Sequence, residues 1–339
     1  MLRFRFLPLL ALALPILLSA QKKTPYQYFR AGSTEDVVTK TQAGFALMGG
    51  GTDLDEAFRW MCERAGGGDF LVLRATGDDD YNPYIQPLCK LNSVATLILP
   101  DREAANDPFV ASTIAHADAI FIAGGDQANY IRYWTGTPVQ AEINAAIRRG
   151  VPIGGTSAGL AVMGEWAYSA EGDKPKDPNL DGHTALMNPL GPRVTLVHGF
   201  LEIPVLKGII TDTHFARRDR MGRLLAFVID VMQPEGKVEP PGAEPQIRGV
   251  GIEEKAAVLL EPDGRATVVG HGDAYLVDSK DMVAGLEKDS SLTLTGASVL
   301  KVAPGHTFNI KNWQGDGVSY SLSAKEGKIQ STQPGGGVY

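Results

Sequence analysis

The strongest constraint on this chain is a set of five short apolar runs, most of them ending in small or acidic residues. Phe45-Ala46-Leu47-Met48 leads into Gly49-Gly50-Gly51-Thr52-Asp53, and residues 70–73 lead into a loop with Thr76-Gly77-Asp78. Residues 94–99 form a third run, residues 119–123 a fourth that ends at Gly124-Gly125-Asp126, and Val151-Pro152-Ile153-Gly154 a fifth. Continuous apolar runs suit strands buried on both faces, because alternation is needed only where one face meets water. Helical stretches, one through Arg64 and one around residues 82–91, separate them. The pattern predicts an α/β fold: a mostly parallel sheet with helices on both faces. Functional groups of such sheets sit at the carboxyl ends of the strands, where the Gly, Thr, Asp and Ser clusters fall.

Beyond residue 190 the texture changes. Residues 209–211 read as another strand, followed by a helix from about Phe215 to Val231, and residues 233–247 as a Pro-, Gly- and Glu-rich loop. From residue 256 onward β patterns dominate. We read residues 21–280 as the α/β catalytic domain and residues 281–339 as a β-rich C-terminal extension of edge strands. Residues 1–20 stand apart: Arg3 and Arg5 are their only charges, and residues 7–20 are apolar except Ser19. A basic start, a short apolar core and a small residue at its end read as a secretory signal cut after Ala20. The stretch is shorter than the ~20 residues a spanning helix needs, and no other segment reaches that length. The expected location is therefore secreted or periplasmic, with no stable membrane span after signal removal. Cys62 and Cys89 would then meet a disulfide-permissive compartment; a bridge and two buried thiols both fit. The net charge of −7 over 339 residues speaks against nucleic acid as a partner.

Gly155-Thr156-Ser157-Ala158-Gly159 fits G-x-S-x-G between a strand and a helical run (Leu160, Ala161, Val162, Met163). A nucleophile elbow needs small residues beside the serine, since the chain reverses within a few ångströms. Ser157 is the expected nucleophile, with the Ala158 N–H facing a developing oxyanion. A serine hydroxyl needs a base. Of the six histidines, His116, His183, His198, His214, His271 and His306, His214 follows the strand at 209–211 and is the best candidate. The third member should be a carboxylate that orients the imidazole. Glu165 would lie about 12 Å along a continuous helix from Ser157, too far. Glu171 is the expected acid, with Asp173 the alternative.

These residues, taken with Gly124-Gly125-Asp126-Gln127 and with Asp212-Thr213-His214-Phe215 followed by Arg218, Arg220, Gly222, Arg223 and Leu224, resemble the cyanophycinases. Those are serine peptidases related to the α-aspartyl dipeptidases, and the resemblance runs from about residue 43 to about residue 280. It implies a glutamine-amidotransferase-like α/β fold, a Ser-His-acid site without metal or organic cofactor, and cleavage of β-aspartyl linkages. The implied substrate is cyanophycin, a polyaspartate carrying Arg on its side-chain carboxyls, released as β-Asp-Arg dipeptides. By the family pattern Gly125 is the second oxyanion donor. Gln127, Asp212, Arg218, Arg220 and Arg223 carry over as substrate-binding residues. Thr213 stands where the family typically has Gln, which takes an amide from the pocket.

Arg217, Arg218, Arg220 and Arg223 also make sense without the resemblance. They crowd cations into a short stretch of an acidic protein, and Arg offers bidentate hydrogen bonds to carboxylates. Asp212 could balance a substrate guanidinium or hold one of these arginines. The expected partner is thus a peptide or polyamide rich in Asp and Arg; the oligomeric state stays open, a homodimer among the options. Two alternatives stand beside this reading: an exported peptidase or esterase with the same triad and another acyl substrate, and a catalytically silent binding protein.

Overall fold

A computed structural model describes residues 24–173, 179–232, 246–286 and 289–339; the expected signal segment at 1–20 lies outside them. All five apolar runs form strands. Ser93–Ile98, Asp69–Arg74, Ala119–Ile122, Ile153–Thr156 and Phe45–Met48 lie side by side in that order, every neighbouring pair parallel. Gln27–Gly32 closes one side antiparallel, and Ala256–Leu260 adds antiparallel to Phe45–Met48 on the other, followed by Arg265–Gly270, Thr307–Asn309 and Gln314–Gly315.

Side chains on a strand alternate between faces, and here both faces are buried. Phe45, Leu47, Leu71, Leu73, Ile120 and Ile122 share one apolar cluster with Val110, Ile114, Val139 and Ile143 of helices Pro108–Ala115 and Pro138–Arg149. Ala46, Met48, Phe70, Val72, Ala119 and Phe121 share the opposite one with Phe58 and Met61 of helix Asp55–Arg64. That double burial explains why the runs carry no polar alternation. Cys62 of this helix is disulfide-bonded to Cys89, which resolves the open question in favour of the bridge. The second stretch expected to be helical shrinks to Tyr81–Ile85 and a 3-10 turn, Gln86–Leu88.

Strand Ile209–Asp212 lies in a second, nine-stranded sheet, not in the parallel one. It runs parallel to Arg248–Ile252 and to Trp166–Tyr168. Arg248–Ile252 was not visible as a strand because two of its five residues are glycines, which weaken β patterning. Both are required by packing: a Cβ on Gly249 would come within 2.8 Å of Leu224, and one on Gly251 within 2.4 Å of the Phe215 ring. The helix over this sheet begins at Met221, not at Phe215, because His214 and Asp219 take positive φ (47° and 49°) and break helical geometry before it.

The segment from residue 281 onward extends both sheets. Thr293–Val302 pairs with Ala274–Asp278, and Thr307–Asn309 pairs with Arg265–Gly270. Its Val299, Tyr320 and Leu322 share a buried cluster with Leu224 and Phe227 of helix Met221–Met232. No described helix is long and apolar enough to cross a membrane.

Candidate active site

Strand Ile153–Thr156 passes into the short helix Ala158–Ala161 through one residue, Ser157, at φ 52° and ψ −117°. An L-residue with a Cβ rarely adopts such a backbone, and it persists only when its surroundings enforce it. The flanking glycines do so. A Cβ on Gly159 would fall 1.9 Å from the Ile122 carbonyl oxygen, and one on Gly155 2.6 Å from the Gly159 carbonyl carbon. The Ser157 N–H also donates to Met48 O at 3.2 Å. Ala158 opens the helix, so its N–H has no partner inside it.

The Gly124-Gly125 loop comes close to the elbow: a Cβ on Gly124 would stand 3.6 Å from Ser157 Cβ. The buried Tyr130 hydroxyl contacts the carbonyls of Ala123 and Gly124 at 2.8 and 3.1 Å. In a planar trans peptide C=O and N–H point opposite ways, so anchoring the Gly124 carbonyl on Tyr130 turns the Gly125 N–H away from that ring. Gln127 begins helix Gln127–Trp134 beside this loop, half-buried, with no side-chain hydrogen bond among the described residues.

The expected base, His214, comes from the second sheet. His214 follows strand Ile209–Asp212 and donates its N–H to Gly49 O at 2.8 Å. Its imidazole packs against Gly50, where a Cβ would come within 2.5 Å of the ring. Gly50 also needs to be glycine for its φ of 99°. Ser157 Oγ and His214 Nε2 lie 2.8 Å apart, and His214 Nδ1 lies 2.7 Å from Glu254 Oε1. Burial lowers the His214 pKa below its usual 6.5 and outweighs Glu254, which raises it; Arg218 and Arg220 lower it further. The hydrogen bond from His214 holds the Glu254 carboxyl below the ordinary range. The imidazole is therefore neutral at neutral pH with a carboxylate behind it, the protonation states a general base requires.

Glu254 replaces the acid expected from the sequence. Glu171 is well exposed, 3.9 Å from Arg132. Asp173 accepts from the Tyr168 hydroxyl at 2.7 Å and pairs with Arg193. The strand Trp166–Tyr168 returns beside Ile209–Asp212, but the chain leaving it meets Arg132 and Arg193, not the imidazole. Glu254 stands between Arg248–Ile252 of the second sheet and Ala256–Leu260 of the first. Its neighbour Glu253 is occupied elsewhere, by the Tyr275 hydroxyl and the Asp273 N–H. The only sequence signal was the acidic pair itself, placed after the concealed strand.

Several residues expected to bind substrate turn inward. Arg223 is 2% exposed and clamps Asp212 with two hydrogen bonds, at 2.8 and 2.5 Å. It also donates to Leu180 O and lies over the Tyr168 and Phe227 rings. Buried charges persist in proteins when paired and hydrogen-bonded; Asp212 thus holds an arginine of its own chain. Arg220, also buried, donates to the carbonyl and the hydroxyl of Thr213 and to Asn179. Burial, together with Arg223, pulls Arg220 down to about 9, so it stays charged at neutral pH. Asp212, Thr213, Arg220 and Arg223 form an internal frame under His214. Arg217 and Arg218 remain exposed.

A further, half-buried acid stands near the elbow. Asp53, at the end of the Gly49–Thr52 loop, accepts from the Tyr81 hydroxyl at 2.6 Å, and burial raises its pKa. No cluster of His, Cys, Asp and Glu suited to a metal occurs among the described residues.

An α/β fold with a serine on a strained strand-to-helix turn, joined through an imidazole to a carboxylate, defines a serine hydrolase of the elbow type. The sequence profile of Peptidase family S51 matches residues 81–193, which include Ser157. A cyanophycinase of Synechococcus elongatus is 25% identical over 267 residues, covering 75% of this chain and 74% of that protein. A cyanophycinase of Trichormus variabilis is 30% identical over 190 residues, 56% of this chain and 54% of that protein. A crystal structure of a peptidase from an acI-B1 Actinobacterium aligns with TM-score 0.49 and 15% identity, covering 80% of this chain and 98% of that one. The chain is thus similar to Peptidase family S51 across residues 81–193 and to cyanophycinases over as much as three quarters of its length.

Proposed function

We propose that the protein is an exported hydrolase of β-aspartyl isopeptide bonds in cyanophycin-type polymers, acting through Ser157, His214 and Glu254. The observation that carries this reading is the continuous relay of 2.8 and 2.7 Å from the Ser157 hydroxyl through His214 to Glu254. Ser157 Oγ attacks the β-carbonyl carbon while its proton passes to His214 Nε2, and Glu254 stabilises the resulting imidazolium. The N–H groups of Ala158 and Gly125 receive the oxyanion; removing one such donor typically costs about 2.7–4 kcal/mol of barrier. Collapse of the tetrahedral species breaks the C–N bond, and His214 returns the proton to the departing amine. Water then attacks the ester, His214 takes its proton and passes it to Ser157 Oγ as the free β-carboxylate leaves.

The cyanophycinase relatives support the substrate class. Arg218, exposed and near enough to depress both His214 and Glu254, is the arginine we assign to a substrate carboxylate, with Gln127 across the elbow as a polar contact. Export is supported by the basic-apolar start of the sequence and agrees with the Cys62–Cys89 bridge. One observation favours a second reading, hydrolysis of a different acyl substrate: Asp212, Thr213 and Arg223 are committed to internal bonds and leave fewer groups to select a β-Asp-Arg unit.

The test is incubation of purified protein with insoluble cyanophycin, with mass analysis of the soluble products, beside isoaspartyl dipeptides and simple esters. β-Asp-Arg from the wild type and none from Ser157→Ala is the expected result. Turnover of the small substrates alone selects the second reading, and turnover by Ser157→Ala removes Ser157 from the mechanism.

A further inference from the structure

The turn from His214 to Arg220 has two non-glycine residues at positive φ, His214 and Asp219. Internal bonds tie it partly: Arg218 N to His214 O, Asp219 N to Ala216 O and Arg220 N to Phe215 O. Positive-φ residues with side chains need outside restraint, and one comes from more than a hundred residues away. The Tyr339 hydroxyl donates to Asp219 Oδ1 at 2.8 Å and accepts from the Met221 N–H at 2.9 Å. Met221 starts the following helix, so its N–H is one of the donors a helix cannot satisfy itself. The Tyr339 ring stands edge-on to Phe215 and to Tyr275, centroids 6.0 and 5.8 Å away. Phe215 is next to His214 and packs closely against Gly251, three residues before Glu254. Tyr339 is itself held: Tyr320 donates to Val338 O at 2.7 Å, and Gln333 to Gly337 O at 2.9 Å.

We infer that Tyr339 is a positioning residue for the catalytic histidine, and that the strand-rich segment after residue 281 serves turnover by bracing the His214–Arg220 turn from behind. Its hydroxyl pins the far end of the turn, and its ring presses Phe215 onto the strand that leads to Glu254. The inference rests on the Ser157–His214 reading above. It assigns a catalytic consequence to a segment that touches none of the reacting atoms.

The experiment compares full-length wild type, Tyr339→Phe and Tyr339→Ala by the rate at which a fluorophosphonate labels Ser157 as a function of pH, with Tm measured on each. Tyr339→Ala should slow labelling at least tenfold. Its acid limb should move up toward the ordinary histidine value, because a loosened imidazole regains water. Tyr339→Phe keeps the ring contacts and loses both hydroxyl bonds; it should label a few-fold slower with a nearly unchanged Tm, and it decides the matter if the alanine variant does not fold. A wild type that labels beside variants with the same rate and the same acid limb overturns this inference alone. A wild type that does not label overturns the nucleophile reading as well.

Discussion

The turns that carry Ser157 and His214 hold similar backbone angles, φ 52° and φ 47°, yet they are enforced differently. The serine turn is made by its own neighbours: Gly155 and Gly159 leave room for a reversal that any larger residue would block. The histidine turn is held by residues scattered through the chain, with Gly49 taking its N–H, Glu254 its Nδ1, and Arg223 and Arg220 fixing the two residues before it. Strain confined to five consecutive residues leaves a written motif. Strain distributed over both sheets leaves none.

The comparison is broken most severely at the imidazole's acid. Glu254→Gln should cut kcat about 10⁴-fold, the scale seen when a triad carboxylate becomes an amide and the imidazole loses its tautomer. Glu171→Gln should leave kcat within about twofold, the range of an exposed ion pair. Steady-state rates on one substrate decide it, and a large loss in Glu171→Gln with none in Glu254→Gln would reverse our assignment. Next comes the frame beneath the histidine. Asp212→Ala strands a buried guanidinium and should cost about 3–5 kcal/mol of stability, read by denaturant unfolding; a loss under 1 kcal/mol would mean that Arg223 escapes to water.

Smaller in effect is the Cys62–Cys89 bridge, which lies in the serine-bearing half and away from the elbow. Cys62→Ser should cost about 2–4 kcal/mol with kcat unchanged once folded, so a fall in kcat would tie the bridge to the site. Finest is the pH profile. Burial lowers the His214 pKa, so the active, neutral form is lost only as pH falls through a value below 6.5. kcat/KM should therefore rise along an acid limb centred below 6.5 and be flat above it; a midpoint at or above 6.5 would show that burial does not dominate.

Much of the fold was legible. Runs such as residues 45–48 and 119–122 are apolar on both faces because both faces are covered, and composition alone reveals that. The elbow was legible for the same local reason. The strand Arg248–Ile252 was not, since Gly249 and Gly251 are there to admit Leu224 and Phe215, residues whose approach no nearby sequence announces. With that strand hidden, nothing in the sequence beyond the acidic pair marks Glu254, and the acids a short way past Ser157 along the chain, Glu171 and Asp173, stand out instead. The cluster of arginines misled in the opposite sense: position suggested a substrate surface, whereas Arg220 and Arg223 point into the protein.

By itself, then, the sequence determined the parallel layer, the sharp bend at Ser157 and the expectation that His214 would meet it, because each depends on spacing or on small residues close at hand. Tertiary structure alone decided which carboxylate stands behind the imidazole, which arginines stay exposed and what the segment after residue 281 presses against. Those outcomes depend on contacts between residues from about ten to more than a hundred positions apart. Such contacts are chosen by how two sheets pack, and no local pattern encodes them.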